Sequence, residues 1–204
     1  MTAVPASGAL RKRILVIQGH PDNSQEHLLH ALAQRYADAA RGAAHDVRTL
    51  HIADLDFPLL KSQQEWMQGA VPPSLAQAQQ DIEWAQHLVL LFPLWLGDMP
   101  ALVKGFLEQV ARPGFAFPAD AKNPFDAKAL AGRSARVVVT MGMPAIVYRW
   151  YFRAHSVKSL ERNILGFVGI APVRATLIGG VGNMKMEAAQ KWKRKLAALG
   201  KRGE

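Results

Sequence analysis

The sequence predicts an α/β domain built on a parallel sheet with helices on both faces. Three observations carry this. Short apolar runs alternate with stretches of helical periodicity along the chain, the pattern of successive βα units. Those runs are continuous rather than alternating, as in strands buried on both faces. The 204 residues suit one domain of this class, with no internal repeat and no clear linker.

The elements follow in order. Ile14–Ile17 is an apolar run too short for a buried helix and reads as the first strand. Leu28, Leu32, Tyr36 and Ala39 or Ala40 then recur at spacings of three and four, an amphipathic helix beginning near Ser24. Asp46–Ile52 is a weaker second strand. Pro72-Pro73-Ser74 starts a helix with Leu75, Ala78, Ile82 and Ala85 on one face, and Leu88–Phe92 is the strongest strand signal in the chain. Pro100 sits at a first helical turn, with Leu102, Phe106 and Val110 on the inner stripe. Residues 112–134 break the rhythm as a long loop marked by Pro, Gly and aromatic residues, and long loops in compact domains are functional or disordered. Ala135–Met141 resumes the strands. A helical stretch at Ser156–Leu165, a strand at Arg174–Ile178 and a helix striped by Ala189, Trp192, Leu196 and Leu199 complete the chain.

Composition limits the chemistry. There is no cysteine, which excludes disulfide scaffolds, thiolate metal sites and thiol nucleophiles, so any redox chemistry belongs to a bound cofactor. The formal net charge is +9. Lys185–Glu204 holds seven Lys/Arg against two Glu, and the other 184 residues hold 18 basic against 14 acidic side chains. Part of the excess is therefore one basic tail, read as a solvated helix face with a frayed end at 201–204. No nucleic-acid motif accompanies it, so a nucleic-acid partner is not expected. Residues 1–12 read as a disordered leader ahead of a domain over 13–200. No apolar run approaches a membrane span or a signal core, and the expected location is cytoplasmic.

In an open parallel sheet, ligands bind beyond the carboxyl ends of the strands. Three loops should then hold the chemistry. The first is Gln18-Gly19-His20-Pro21-Asp22-Asn23-Ser24-Gln25-Glu26-His27. Ser24 as a helix cap would leave amides free for an anion, with His20 and His27 as further donors. Equally, Ser24 is only a cap and the histidines are solvated. Neither the P-loop nor the GxGxxG pattern is present. The second loop, Phe92–Pro100, is apolar, and it either walls a flat aromatic ligand with Trp95 or is packed core. The third is Thr140-Met141-Gly142-Met143-Pro144, followed by Tyr148, Trp150, Tyr151, Phe152 and His155, which fit a substrate pocket, a dimer interface or core helix, or both uses at once.

Taken together, these segments resemble a family. His20-Pro21 with Ser24, Phe92-Pro93-Leu94 with Pro100–Phe106, Gly114-Phe115-Ala116-Phe117, Thr140-Met141-Gly142 and the Ile164–Gly169 region are similar to the NAD(P)H:quinone oxidoreductases, flavodoxin-like flavoproteins. The likeness spans roughly residues 12–180, and Phe92–Phe117 is its most specific part. It implies a doubly wound sheet of order 2-1-3-4-5 and a homodimer. It implies bound flavin, FMN or FAD, reduced by NAD(P)H and reoxidised by a quinone or similar electrophile. By position, Ser24, Gln25, Glu26 and His27 would surround the flavin phosphate with His20 beside them. Pro93, Leu94, Trp95 and Leu96 would lie along the ring, and Thr140, Met141, Gly142 and Met143 at its polar edge. The amides of 141–143 and the Tyr148 hydroxyl would stabilise charge there, and Tyr148 or His155 would serve the acceptor as catalytic donors. This chain departs from the family's Thr-Thr-Gly-Gly by carrying Met141 and Met143. A second implication is an ancillary role, since some relatives are subunits of potassium-efflux systems, with Lys191–Lys195 docking an acidic partner.

Overall fold

A computed structural model describes residues 11–118 and 128–204. Five parallel strands form one sheet of order β2-β1-β3-β4-β5, namely β1 Arg13–Gln18, β2 Asp46–His51, β3 His87–Pro93, β4 Ser134–Thr140 and β5 Val173–Ile178. The helices are α1 Leu28–Gly42, α2 Gln63–Gln68, α3 Pro73–Trp84, α4 Ala101–Val110, α5 Ala145–Trp150, α6 His155–Ser159 and α7 Met186–Arg202. A π turn, Leu160–Leu165, prolongs α6.

The continuous apolar strands explain the layering. Every residue of β3 is buried, and successive side chains of β1 serve opposite faces. Ile14 and Val16 meet α1 and α7, packing with Leu29, Leu32, Tyr36, Leu196 and Leu199. Leu15 and Ile17 meet the other layer, with Leu75, Ile82, Phe106 and Val110. Helices therefore cover both faces, as the alternating pattern requires. In α4 the deepest apolar residues are Val103, Phe106 and Val110, while Leu102 is half-buried. Gly200 lets α7 press on α1, since a Cβ there would lie 2.3 Å from the Tyr36 carbonyl oxygen.

Several expectations change. α1 begins at Leu28 with His27 as its cap, not near Ser24, and Ser24 makes no capping bond. The chain end is not frayed: α7 runs to Arg202, and Gly203 closes it at φ +61°, buried against His45. Of the leader, residues 1–10 lie outside the described residues, whereas Arg11 pairs with Asp46 and the Lys12 ammonium donates to the Gly203 carbonyl. Within the long loop, 113–117 folds as a compact turn, and residues 119–127 lie outside the described residues.

Helix α2 was not expected and buries none of its residues. It is held from outside. The buried Arg112 guanidinium donates to the carbonyls of Glu65 at 2.7 Å and Gly69 at 2.8 Å, and also to the Gln109 carbonyl and side-chain oxygen.

Candidate functional site

Because the strands are parallel, their carboxyl ends deliver the three expected loops to one edge. Backbone bonds then knit them. The Gly19 amide donates to Leu91 O at 2.7 Å, joining the first loop to β3. The Leu94 amide donates to Thr140 O at 2.7 Å, joining the second loop to the third. A fourth loop enters from β5, with Val181 N–H on Met141 O and Gly180 N–H on Met143 O. Between them lies a slot of about 400 Å³. His20 and His27, Pro93, Leu94 and Trp95, and Thr140, Met141 and Gly142 all line it. The sequence reading missed Leu28, Leu29, Val181 and Gly182, which complete the wall.

Trp95 spans the mouth. Its indole meets the His20 ring edge-on at 6.0 Å and is half exposed. It is held by a tight hairpin in which Trp95 and Asp98 exchange backbone bonds at 2.9 and 3.0 Å. The two tip residues, Leu96 and Gly97, have φ +47° and +82°. Such a turn needs positive φ at both centres, which glycine accepts freely and leucine does not. Leu96 consequently points out into solvent instead of along the slot.

The first loop holds an internal anion. The Asp22 carboxylate accepts from the Ser24 amide at 2.8 Å, the Ser24 hydroxyl at 2.5 Å, Gln25 Nε2 at 3.4 Å and His27 Nε2 at 2.9 Å. The Ser24 hydroxyl and His27 hold that carboxyl far below the ordinary carboxylate range. The donors expected to surround a phosphate are thus turned onto a residue the sequence reading passed over. The Gln25 and Glu26 amides make no bond to a described protein acceptor. Ser24, Gln25 and Glu26 themselves line a neighbouring groove of about 720 Å³ with His30, Arg35, His51 and Lys193, rather than the slot.

Three imidazoles gather beside this loop. His20 and His27 stack at 3.9 Å, and His30 lies 5.4 and 5.6 Å from them. Burial, and then the nearby His27, lower the affinity of both His20 and His30 for a proton. At neutral pH both are uncharged. An anion in the loop would reverse that repulsion.

The third loop offers open backbone. Gly142 N–H and Met143 N–H donate to no backbone carbonyl among the described residues, whereas Met141 N–H is already committed to Ile178 O at 2.9 Å. A Cβ at Gly142 or at Gly182 would meet nothing within 4 Å, so the slot floor is bare main chain there. Met143 packs against the core and does not line the slot.

The two residues expected to be catalytic are elsewhere. Tyr148 is buried, with its hydroxyl 2.6 Å from Ser156 Oγ and accepting from the Val157 amide at 3.4 Å. It ties α5 to α6 rather than opening on the slot. His155 is exposed at the start of α6, after Arg153 and Ala154 at φ +53° and +49°. Neither lines the slot. A separate apolar hollow of about 590 Å³, walled by Trp66, Leu107, Phe117, Ile164 and Phe167, includes none of the loop residues.

The slot suits a flavin on three counts. Its walls are apolar at Pro93, Leu94, Trp95 and Met141; Gly142, whose amide meets no backbone acceptor among the described residues, lines it; and its volume lies in the usual range for ligand sites. Among the described residues no group of three or more His, Asp or Glu is placed to hold a metal ion.

Comparisons with known proteins agree with this geometry. A protein of Haemophilus influenzae named as an uncharacterized NAD(P)H oxidoreductase is 26% identical over 202 residues, covering 93% of this chain and 98% of its own. The NAD(P)H:quinone oxidoreductase structure from Methanothermobacter marburgensis superposes with a TM-score of 0.76 at 19% identity, over 94% of this chain and 98% of that one. An FMN-dependent NADH-azoreductase structure from Bacillus anthracis does so at 0.69 and 15%, over 93% and 98%. At those identities the structures speak for the fold. The family model described as "Flavodoxin-like fold" matches residues 12–202. The chain belongs to the flavodoxin-like family, the fold family of the NAD(P)H:quinone oxidoreductases that its loops resemble.

Proposed function

We propose that this protein is a flavin-dependent NAD(P)H oxidoreductase that reduces quinones or similar electrophiles. The observation that carries the proposal is the slot in which three separate loops present an apolar wall, bare backbone and His20 with His27, beside a turn that holds a carboxylate of its own. The names that similar proteins carry, NAD(P)H oxidoreductase and NAD(P)H:quinone oxidoreductase, support the same activity and favour it over an ancillary-subunit role.

A flavin held in the slot would supply the two-electron chemistry between NAD(P)H and the acceptor. The chain's own residues set the stage. Pro93, Leu94 and Met141 exclude water from one side of the ring, and Trp95 closes the mouth. The Gly142 amide, with the Met143 amide next to it, would stabilise negative charge on a reduced flavin's polar edge, in the manner of an oxyanion hole. A flavin phosphate would be held by Ser24 and His27, once Asp22 no longer occupies them, together with the Gln25 and Glu26 amides. We assign Tyr148 to positioning, through Ser156, instead of proton donation. His155 remains in reach only of solvent-side ligands. The groove beside Ser24–Glu26 has room for the adenosine half that separates FAD from FMN.

A homodimer accords with the surface. Trp95, Leu96, Ile146, Trp150, Tyr151 and Phe152 are all large apolar residues left exposed, and clusters of this kind mark contact sites.

The test is direct. Purified protein mixed with FMN or FAD should show bound-flavin absorbance that bleaches on adding NADH or NADPH, and the flavin released on denaturation identifies the cofactor. A protein that binds neither flavin overturns the proposal. Light scattering reports the dimer.

A further inference from the structure

The opposite edge of the sheet contains a second polar site. His87, at the start of β3, is 3% exposed, with Nδ1 2.8 Å from Ser134 Oγ and a buried Nε2 that has no partner. On the same sheet face, one pair further along β4, Arg136 is 6% exposed and its Nε is also unpartnered. Arg136 donates to Thr176 Oγ1 at 3.0 Å, but among the described residues no carboxylate forms an ion pair with it. Its strand neighbour in β5 is Arg174, another cation. The Tyr36 hydroxyl, from α1 on this face, is a third buried group with no partner. Burying a guanidinium without a counter-charge is costly, and native proteins resolve such debts with an ion or water.

A cavity of about 210 Å³ opens at this place, lined by Lys12, His87, Ser134, Arg174, Gly203 and Glu204. That is several times the roughly 30 Å³ share of one water in the liquid. Lys12 spends one of its three donors on the Gly203 carbonyl, at 2.9 Å. The Glu204 side-chain carboxylate lies 3.4 Å from Arg174 and 3.3 Å from Arg202 and is the acidic side chain lining the site among the described residues. Burial and the charges of Lys12, Arg136 and Arg174 push His87 down to about 4. The imidazole is therefore neutral near pH 7. With Nδ1 accepting from the Ser134 hydroxyl, its Nε2–H is left as a donor.

We propose that the cavity at the amino-terminal edge of the sheet, formed by Lys12, His87, Ser134 and Arg174 with Arg136 behind them, binds a small oxyanion of the phosphate or sulfate type. The Lys12 ammonium, the His87 Nε2–H and the Arg174 guanidinium are three donors from separate parts of the sheet edge, which suits a tetrahedral oxyanion better than a spherical ion. The site lies at the end of the strands away from the flavin slot and does not depend on what that slot holds.

The experiment uses flavin-saturated protein, so that the first loop is occupied, and inorganic phosphate as the probe at constant ionic strength. Histidine-ring NMR follows His87, whose resonances are those lost in His87→Gln. Its resonances should shift saturably with phosphate and its proton affinity should rise. Arg174→Gln, at a side chain that is mostly exposed, should weaken binding at least about tenfold, the loss of one charge-assisted hydrogen bond. Glu204→Gln should tighten it several-fold by removing the competing carboxylate. Three results overturn the proposal. Chloride produces the same shift, Arg174→Gln leaves the phosphate midpoint unchanged, or phosphate has no effect while Glu204→Gln alone unsettles His87, which makes Glu204 the resident counter-charge.

Discussion

Replacing Tyr148 by Phe separates a positioning role from a catalytic one. The ring is 2% exposed, and phenylalanine preserves its packing. Only the hydroxyl is lost, with its 2.6 Å bond to Ser156 and the longer one from the Val157 amide. A net hydrogen bond contributes about 0.5–1.5 kcal/mol, and a buried partner left unsatisfied raises the cost to about 1–3 kcal/mol. The Val157 contact is long, so the loss should fall at about 1–2 kcal/mol. For a domain of this size each kcal/mol moves the melting midpoint by about 2–4 °C, giving a drop of roughly 2–8 °C. Flavin affinity and turnover should stay within about twofold, since no transition-state contact is removed. Calorimetry, flavin titration and steady-state rates on the same samples decide it. A tenfold or greater fall in turnover with an unchanged melting midpoint would refute this reasoning and place the hydroxyl at the reacting atoms.

Three other outcomes are expected. Asp22→Asn should raise flavin affinity several-fold, most at low salt, because the phosphate no longer competes with a carboxylate for Ser24 and His27; fluorescence quenching reads it, and weaker binding would show that the carboxylate prepares the loop for its ligand. Acid should destabilise the fold through His87. Its folded value of about 4 is below the ordinary 6.5, so the unfolded chain binds more protons in between. Stability should fall by about 3 kcal/mol as pH drops through that window. Urea midpoints measured across it should flatten in His87→Gln, and an equal slope in that variant would exclude His87 as the source. Leu96→Gly should raise the melting midpoint by up to about 2–4 °C, since a left-handed leucine costs about 1–2 kcal/mol and glycine's extra unfolded-state entropy returns part of it. A lower midpoint would contradict the hairpin geometry.

Much of the architecture was readable in advance, for physical reasons. Val137-Val138-Val139 and Leu88–Phe92 are continuous apolar runs, and only a strand covered on both faces uses such runs at that length. Helix α2 was not readable because Gln63–Gln68 has no apolar stripe to bury, and its anchor, Arg112, is 44 residues beyond its last turn. Helix α5 is six residues long and mostly exposed, too short for a period to emerge. Of the site, the loops carried by strand ends were found, since topology alone brings His20, Trp95 and Gly142 together. Val181 and Gly182 were missed because nothing in their composition marks a loop that curls back over its neighbour. Asp22 looks like any turn carboxylate until its four donors are seen converging. Tyr148 was placed by its position in the family pattern, which does not carry the hydroxyl eight residues on that it meets, Ser156.

The attachment of α2 through one guanidinium has a dynamic consequence. A segment that buries none of its residues, with Trp66 against Phe117 as its aromatic contact, opens at the cost of that contact and those few bonds, before the sheet yields. Backbone amides of Gln63–Gln68 should therefore exchange with deuterium far faster than those of α3, and limited proteolysis should first cut there. Trimming Arg112 to alanine would turn that stretch into a loose flap while the five strands stay folded.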